Sequence, residues 1–178
     1  MCQENNLILI NKQHPVSADY IPCYLVNVRI PFCHDAGSNR MLSYPAALNL
    51  ELLYACARIY SMDICGISGY RSYEAQEAIY NASSSKEYVA RPGESEHQSG
   101  LAIDLCSLEE SFCETDEYRF LIKNAHRFGY ILRYPKGKED ITGYPYEPWH
   151  FRYVGKDAAS VIYEQGLCLE EFLSSHLQ

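Results

Sequence analysis

The sequence predicts an α+β fold in which helices flank a small antiparallel sheet. Two observations support this prediction: the predicted helices and strands follow one another in a mixed order, and most of the segments joining them are short. The chain has 178 residues, 47% of them hydrophobic, which suits one domain around one hydrophobic core. We therefore expect a single domain over residues 1–178.

The N-terminal part of the chain differs from the rest in its pattern. Residues 7–34 are short apolar pieces interrupted by Pro15, Pro22 and Pro31, and proline interrupts regular structure. We therefore expect residues 1–45 to form an extended arm that packs on the remainder of the domain.

The first clear helical pattern is AALNLELLYACARIY, residues 46–60. Four apolar residues share one face of this helix: Leu48, Leu52, Cys56 and Ile59. The short apolar run ICGISGY, residues 64–70, is bounded by glycines and predicts a strand. A second helix over 72–80 follows, with Ser72 as its predicted N-cap.

The second half of the chain supplies the other elements. A polar loop covers residues 81–99. Three apolar runs predict strands, over 101–105, 130–135 and 149–154. Helical patterns predict three more helices, over 116–129, near 156–165 and near 168–176. Gly129 ends the first of these three helices.

Composition excludes some classes of function. The formal net charge is −8, which argues against a nucleic-acid partner. The sequence contains no run of about 18 apolar residues, so no membrane span is expected. The first residues, MCQENNLILINKQHPV, lack the basic and apolar regions of a secretory signal. We therefore expect a cytoplasmic protein, or an extracellular or membrane-anchored one if the sequence is a piece of a longer chain.

The eight cysteines of the chain bear on the compartment in which the protein works. They stand at positions 2, 23, 33, 56, 65, 106, 113 and 168. None forms a CxxC pair, which argues against a zinc knuckle or a thioredoxin-type site. The even count allows disulfides, but the spacing is irregular and two cysteines lie in apolar segments. We therefore predict buried free thiols in a reducing compartment.

Two histidines are each accompanied by a carboxylate. His97 and Asp104 lie in SEHQSGLAID, and Glu147 and His150 lie in EPWH. A catalytic zinc typically takes three protein ligands, and His97, Asp104 and His150 are of the right types. Glu147 can then be the base that takes a proton from the attacking water and returns it to the leaving amine. The alternative is that these are ordinary loop, strand-edge and core residues, but their complementary types favour a metal.

The spacing restricts the local geometry. His97 and Asp104 are seven residues apart, so a straight strand through both would turn them to opposite faces. Gly100 can bend the chain and leave His97 on a loop. Pro148 disfavours a helix at Glu147, so EPWH is expected to be a bend that leads into a strand.

Three further residues are candidates for contacts with a substrate. Arg71 lies where the predicted strand 64–70 gives way to a helix, and its guanidinium can stabilise a carbonyl oxygen that becomes anionic. Gln76 and Ser95 can hydrogen-bond a peptide substrate. The remaining four histidines are predicted to have no ligand role: His14, His34, His126 and His176.

These residues together resemble the zinc D,D-carboxypeptidases and D,D-dipeptidases of vancomycin resistance, the VanY and VanXY type. The matching stretches are SGYRSYEAQ, ARPGESEHQSGLAIDL and FGYILRYPKGKEDITGYPYEPWHFRYVG. The family pattern SxHxxGxAxD is met by five residues: Ser95, His97, Gly100, Ala102 and Asp104. Its ExxH element is met by Glu147 and His150, and the resemblance covers nearly the whole chain.

The resemblance implies a single peptidase domain with the α+β fold that hedgehog-type zinc domains share. His97, Asp104 and His150 would hold zinc. Glu147 would be the general base, and Arg71 would stabilise the oxyanion. Ser95 and Gln76 would contact the substrate. The substrate would be a peptidoglycan precursor or stem peptide, and the reaction would remove D-alanine from precursors that end in D-Ala-D-Ala.

One segment departs from the family pattern. NASSSKE, between Tyr80 and Tyr88, is shorter than expected for a VanXY-type enzyme, and loops over the site influence the choice between dipeptide and pentapeptide. D,D-dipeptidase activity is therefore less favoured, while L,D-carboxypeptidase activity on tetrapeptide stems stays open. An endopeptidase of the same superfamily, or a non-catalytic zinc module that binds cell-wall peptide, are further alternatives.

Overall fold

A computed structural model of the chain describes residues 5–33, 37–87 and 89–176. Its central sheet has four strands: β3 (Gly66–Ser68), β4 (Ala102–Leu105), β5 (Tyr130–Leu132) and β6 (His150–Tyr153). They pair antiparallel in the order β3-β4-β6-β5. The predicted α+β class with a small antiparallel sheet is thereby confirmed.

Helices surround this sheet, and most begin and end close to the predicted positions. They are α1 (Tyr44–Ile59), α2 (Tyr73–Ala82), α3 (Asp116–Asn124), α4 (Glu139–Thr142), α5 (Lys156–Gln165) and α6 (Leu169–His176). Ser72 is the N-cap of α2, since its hydroxyl accepts a hydrogen bond from the Ala75 N–H at 3.2 Å. The predicted helix 116–129 is α3 followed by one 3-10 turn, and it ends at Gly129 with φ +82°.

The two faces of the central sheet are chemically different. Alternate residues of a strand point to opposite faces. Ile103 and Leu105 of β4 belong to the same buried apolar cluster as Phe151 and Tyr153 of β6. The residues that alternate with them, Asp104 on β4 and His150 and Arg152 on β6, therefore point to the other face. This alternation explains why a carboxylate stands within the apolar run LAIDL.

Helix α1 contributes its buried residues to the apolar cluster of the sheet. Its buried residues include Ala46, Leu50, Leu53 and Ala57. Leu48, Leu52 and Ile59 do share one face, yet that face is exposed: Ile59 retains 80% of its accessible surface. Both sets have helical spacing. The predicted sharing of one face by the larger residues is therefore confirmed, and the structure adds that other residues of the helix are the ones buried in the core.

The N-terminal residues pack along the domain. Strand β1 (Leu25–Asn27) pairs antiparallel with β2 (Met41–Ser43), which leads directly into α1. Val28 and Ile30 are buried in the main core, and Ile10 is fully buried. None of the helices in the described residues is long and apolar enough to cross a membrane.

The cysteines correct one prediction. Cys33 and Cys65 form a disulfide, and Cys23 is also disulfide-bonded. Free thiols remain at Cys56, Cys106, Cys113 and Cys168. The prediction of free thiols was therefore wrong for Cys23, Cys33 and Cys65; Cys2 lies outside the described residues. The Cys33–Cys65 pairing could not be predicted from the sequence. It depends on the approach of Phe32 and Cys33 to Gly66, which are contacts between residues far apart in the chain.

Removing the Cys33–Cys65 disulfide is expected to destabilise the fold. The bond closes a loop with a sequence separation of 32 residues, and loop-closure entropy of that size corresponds to about 3–4 kcal/mol. Urea denaturation of a Cys33→Ala/Cys65→Ala variant should show a loss of free energy of unfolding of that order. Cys56→Ser, at a free thiol, is the control. A double variant within about 1 kcal/mol of the wild type would contradict the expectation.

Candidate active site

The two predicted histidine–carboxylate pairs meet at the centre of the sheet. Asp104 on β4 is the register partner of His150 on β6. His97 lies on a 3-10 turn (Glu96–Ser99) that ends at Gly100 with φ +67°. A side chain at Gly100 would bring its Cβ within 2.8 Å of Leu25 and 3.1 Å of the Ser43 nitrogen. The predicted bend at Gly100 is confirmed, and it turns His97 toward Asp104.

His97, Asp104 and His150 form a group that can hold a metal ion. One ligand atom from each lies within 4.8 Å of the others, and all three residues are buried. His97 Nε2 is 3.3 Å from Asp104 Oδ2, and His150 Nδ1 is 3.4 Å from Asp104 Oδ1. Two imidazoles and one carboxylate are the donor set of a catalytic zinc with an open position. The donor chemistry and the short separations therefore fit zinc.

A hydrogen bond holds the His97 ring in an orientation suited to metal ligation. Its Nδ1 lies 2.7 Å from the Gly69 carbonyl oxygen, which accepts hydrogen bonds and cannot donate them. Nε2 is left without the proton and faces Asp104. Burial lowers the pKa of His97, which favours the neutral imidazole that binds metals.

Glu147 stands beside the metal-ligand group. It lies on the bend before β6, where its backbone N–H donates to the Tyr134 carbonyl and its own carbonyl accepts from the His150 N–H. Glu147 Oε2 is 3.5 Å from His150 Nδ1. Burial raises the pKa of Glu147 to about 7, an effect that Asp104 and Glu96 reinforce and His150 and Arg71 oppose. A carboxyl group with such a pKa can both accept and return a proton near neutral pH.

His97, Asp104, Glu147 and His150 line one cavity, and hydrogen bonds hold Arg71 in the wall of this cavity. It follows β3, as predicted, and its backbone N–H donates to the His97 carbonyl at 3.1 Å. Its Nη1 donates to Gln76 Oε1 at 2.7 Å and its Nη2 to Ser68 Oγ at 3.0 Å. The Nε–H is buried without a partner among the described residues. The guanidinium is therefore oriented and still has a free donor.

Gln76 and Ser95 also line this cavity, and their side chains differ in their hydrogen bonding. The Gln76 amide is engaged at both ends, since its Nε2 donates to the Ala90 carbonyl at 2.7 Å and its Oε1 accepts from Arg71. The Ser95 hydroxyl does not cap the 3-10 turn that it precedes. The cavity holds about 220 Å³, and its wall also includes Tyr134, Tyr144 and Trp149.

The histidines predicted to have no ligand role lie elsewhere. His126 stacks on Tyr163 with ring centroids 3.8 Å apart, and His176 stacks on Phe172 at 4.8 Å. His14 contacts Asn11. His34 lies outside the described residues.

Comparison with known proteins identifies the family. The family model described as VanY, D-alanyl-D-alanine carboxypeptidase, matches residues 39–156, which include every candidate residue of the cavity. This chain belongs to the VanY family. It is therefore a peptidase of the carboxypeptidase type, and the resemblance to the VanY and VanXY enzymes is confirmed.

Three relatives of this VanY-family chain illustrate the similarity. The putative carboxypeptidase YodJ of Bacillus subtilis (strain 168) is 43% identical over 95% of this chain and 67% of its own length. The structure of the LD-carboxypeptidase LdcB is 42% identical, with a TM-score of 0.91 over 96% of this chain and 86% of that chain. A vancomycin resistance D,D-pentapeptidase VanY in complex with Zn(II) is 37% identical, with a TM-score of 0.79 over 96% of this chain and 99% of that chain.

Sequence reasoning missed a group of buried charges behind the site. Glu96, Arg133 and Arg152 have fully buried side chains and are joined by ion pairs at 2.7 Å. A signal was present, because Arg133 and Arg152 each stand inside an apolar strand-like run, YILRYP and WHFRYV. Charges at such positions indicate a buried partner of opposite sign.

Proposed function

We propose that this chain is a zinc-dependent carboxypeptidase that removes the terminal D-alanine from peptidoglycan precursors ending in D-Ala-D-Ala. The observation that supports it most is the position of Glu147, 3.5 Å from a nitrogen of His150 within the His97–Asp104–His150 group. Membership of the VanY family and the zinc complex of the VanY relative support the same proposal.

In this proposal the three residues of the metal group have one shared task. His97 Nε2, Asp104 and His150 Nδ1 would hold the ion. When bound, zinc polarises the scissile carbonyl and makes a nearby water more acidic.

Glu147 and Arg71 then carry the proton and charge movements. Glu147 takes a proton from the attacking water and returns it to the leaving amine of D-alanine. Arg71 donates to the carbonyl oxygen as negative charge develops there, and its bonds to Gln76 and Ser68 hold it in place beforehand. In this scheme Ser95 contacts the substrate directly. The predicted substrate contact of Gln76 would have to compete with its bonds to Arg71 and Ala90.

Replacing Arg71 with alanine is expected to lower kcat by about 10²–10³-fold, because one preformed donor to the oxyanion is lost. Zinc content should stay near one ion per chain, since Arg71 is not in the metal-ligand group. Steady-state kinetics and elemental analysis measure the two effects. Arg119→Ala, at an exposed arginine on α3, is the control. An Arg71→Ala enzyme with the kcat of the control would remove Arg71 from the mechanism.

A second candidate is L,D-carboxypeptidase activity on tetrapeptide stems. The similarity to LdcB, with a TM-score of 0.91, favours it specifically. Both activities release D-alanine from the end of a cell-wall peptide, and they differ in the residue before the scissile bond. A D,D-dipeptidase is less favoured because the segment between Tyr80 and Tyr88 is short. A non-catalytic zinc module has no use for Glu147 beside the metal group.

The test is one comparative assay. The purified, zinc-loaded protein is incubated with the D-Ala-D-Ala dipeptide, with a pentapeptide ending in D-Ala-D-Ala and with a tetrapeptide stem, and released D-alanine is measured. Release from the pentapeptide at the highest kcat/KM supports the leading proposal. Preferential release from the tetrapeptide supports the second candidate. No release from any of the three would remove both.

We also propose that the protein works in an oxidising compartment, outside the cytoplasm. The Cys33–Cys65 disulfide and the disulfide-bonded Cys23 support this, because disulfides persist where thiols are not kept reduced. Thiol titration of protein recovered from its native cells tests it. Fully reduced Cys33 and Cys65 in that material would return the cytoplasmic location first expected from the sequence.

A further inference from the structure

A closed group of charges lies directly behind the metal-ligand residues. Glu96 Oε1 accepts hydrogen bonds from Arg133 Nε and Arg152 Nη1, both at 2.7 Å. Arg133 in turn donates to both carboxylate oxygens of Glu170 on α6, at 2.7 and 2.8 Å. The side chains of Glu96, Arg133 and Arg152 are completely buried. Taking such charges out of water is costly, so the arrangement needs a reason beyond stability.

The second oxygen of Glu96 points to a metal-ligand residue. Glu96 Oε2 is 3.5 Å from His150 Nε2, and neither of these two buried atoms makes a hydrogen bond among the described residues. The other nitrogen of the same ring, Nδ1, faces Asp104 Oδ1 at 3.4 Å. Because residues two apart on a strand share a face, β6 presents His150 and Arg152 to the same carboxylate.

We propose that Glu96 is a positioning residue for His150. It accepts the Nε2–H of the imidazole, which leaves Nδ1 free of a proton and directed at the metal. The Gly69 carbonyl has the same role for His97: it accepts the Nδ1–H of that ring and leaves Nε2 without a proton. The two arginines hold the Glu96 carboxylate in place. The hydrogen bond from His150 Nε2 to this carboxylate then holds the imidazole ring in one orientation. This inference rests on the metal site of the proposed function.

The substitution Glu96→Gln would reverse the bond. The two arginines both donate to Oε1, so they would select the amide oxygen of the substituted side chain for that position. The amide NH2 would then face His150 Nε2 and require this nitrogen to accept a hydrogen bond rather than donate one. The proton of the neutral ring would move to Nδ1, the nitrogen that has to bind the metal.

The experiment compares Glu96→Gln with Glu170→Gln. Both changes remove one negative charge next to Arg133, but only the first touches His150. Zinc dissociation constants are measured by competition with a chelator, at a temperature where the metal-free variants are folded. We expect Glu96→Gln to weaken zinc binding by about 10–100-fold and Glu170→Gln by less than about 3-fold. Equal losses in the two variants, or wild-type affinity in Glu96→Gln, would overturn the proposal.

A second measurement uses the wild-type protein and does not depend on how the variants fold. Long-range ¹H–¹⁵N spectra of the zinc-bound protein report which ring nitrogen carries the proton. We expect the proton on Nε2 of His150 and on Nδ1 of His97. A His150 protonated on Nδ1, with zinc bound, would overturn the role of Glu96 alone. Failure of the wild type to bind zinc would instead overturn the proposed function.

Discussion

Replacing Glu147 with glutamine or alanine is expected to lower kcat by about 10²–10⁴-fold, the range that a general base contributes. The reason is chemical: neither side chain can take a proton from water and return it to the leaving amine. Metal content should stay at one ion per chain, because Glu147 is not one of the proposed ligands His97, Asp104 and His150. Release of D-alanine and elemental analysis measure the two quantities on the same preparation.

Glu164→Gln provides a matched control for this prediction, since Glu164 is an exposed carboxylate on α5. It should keep wild-type kcat. A Glu147→Ala enzyme with near-wild-type activity would show that the mechanism is wrong. A Glu147→Ala protein that lost its zinc would place Glu147 among the ligands instead, and the proton would need another acceptor.

Replacing Asp104 with asparagine is expected to have the largest effect on the metal itself. Asparagine keeps the shape of the side chain but removes the only negative charge among the three ligands. Asp104 Oδ1 and Oδ2 each face one of the two imidazoles, at 3.4 and 3.3 Å, so the change acts at the centre of the group. We expect zinc affinity to fall by more than the roughly 100-fold that a change outside the ligand set costs, with activity lost in proportion.

Chelator competition and D-alanine release measure the Asp104 effect together. Asp157→Asn, at an exposed aspartate on α5, is the matched control and should leave both quantities unchanged. Excess zinc should restore part of the activity of Asp104→Asn, because the two imidazoles and Glu147 remain. An Asp104→Asn protein that bound zinc as tightly as the wild type would contradict the ligand assignment.

The sequence predicted the two backbone bends at the site because a single residue next to each bend causes it. Gly100 is the kind of residue that allows a positive φ, and Pro148 excludes a helix at Glu147; together they predicted a bend on each side of the site. These two inferences need only neighbours in the chain. The joining of the two halves into one site was predicted from the complementary types of the four residues and from the family pattern, and the structure adds that strand alternation turns Asp104 and His150 away from Ile103 and Phe151.

The features that escaped prediction depend on contacts between distant segments. Two faces of α1 have helical spacing, and only contacts with distant parts of the fold decide which of them is buried. The Cys33–Cys65 bond requires the N-terminal arm to reach β3. Glu96 had a visible neighbour in His97, but its significance depends on Arg133, Arg152 and His150, which lie 37 to 56 residues away. Position alone in the sequence does not show which buried charges meet.

In the proposed function, zinc held by His97, Asp104 and His150 acts with Glu147 to release D-alanine. The most direct measurement is a zinc titration of metal-free protein with D-alanine release from the pentapeptide followed at each step. Activity should be absent at the start, rise in proportion to bound zinc and saturate at one equivalent. Full release by the metal-free protein, or saturation of zinc binding without any release from the cell-wall peptides tested, would contradict the account.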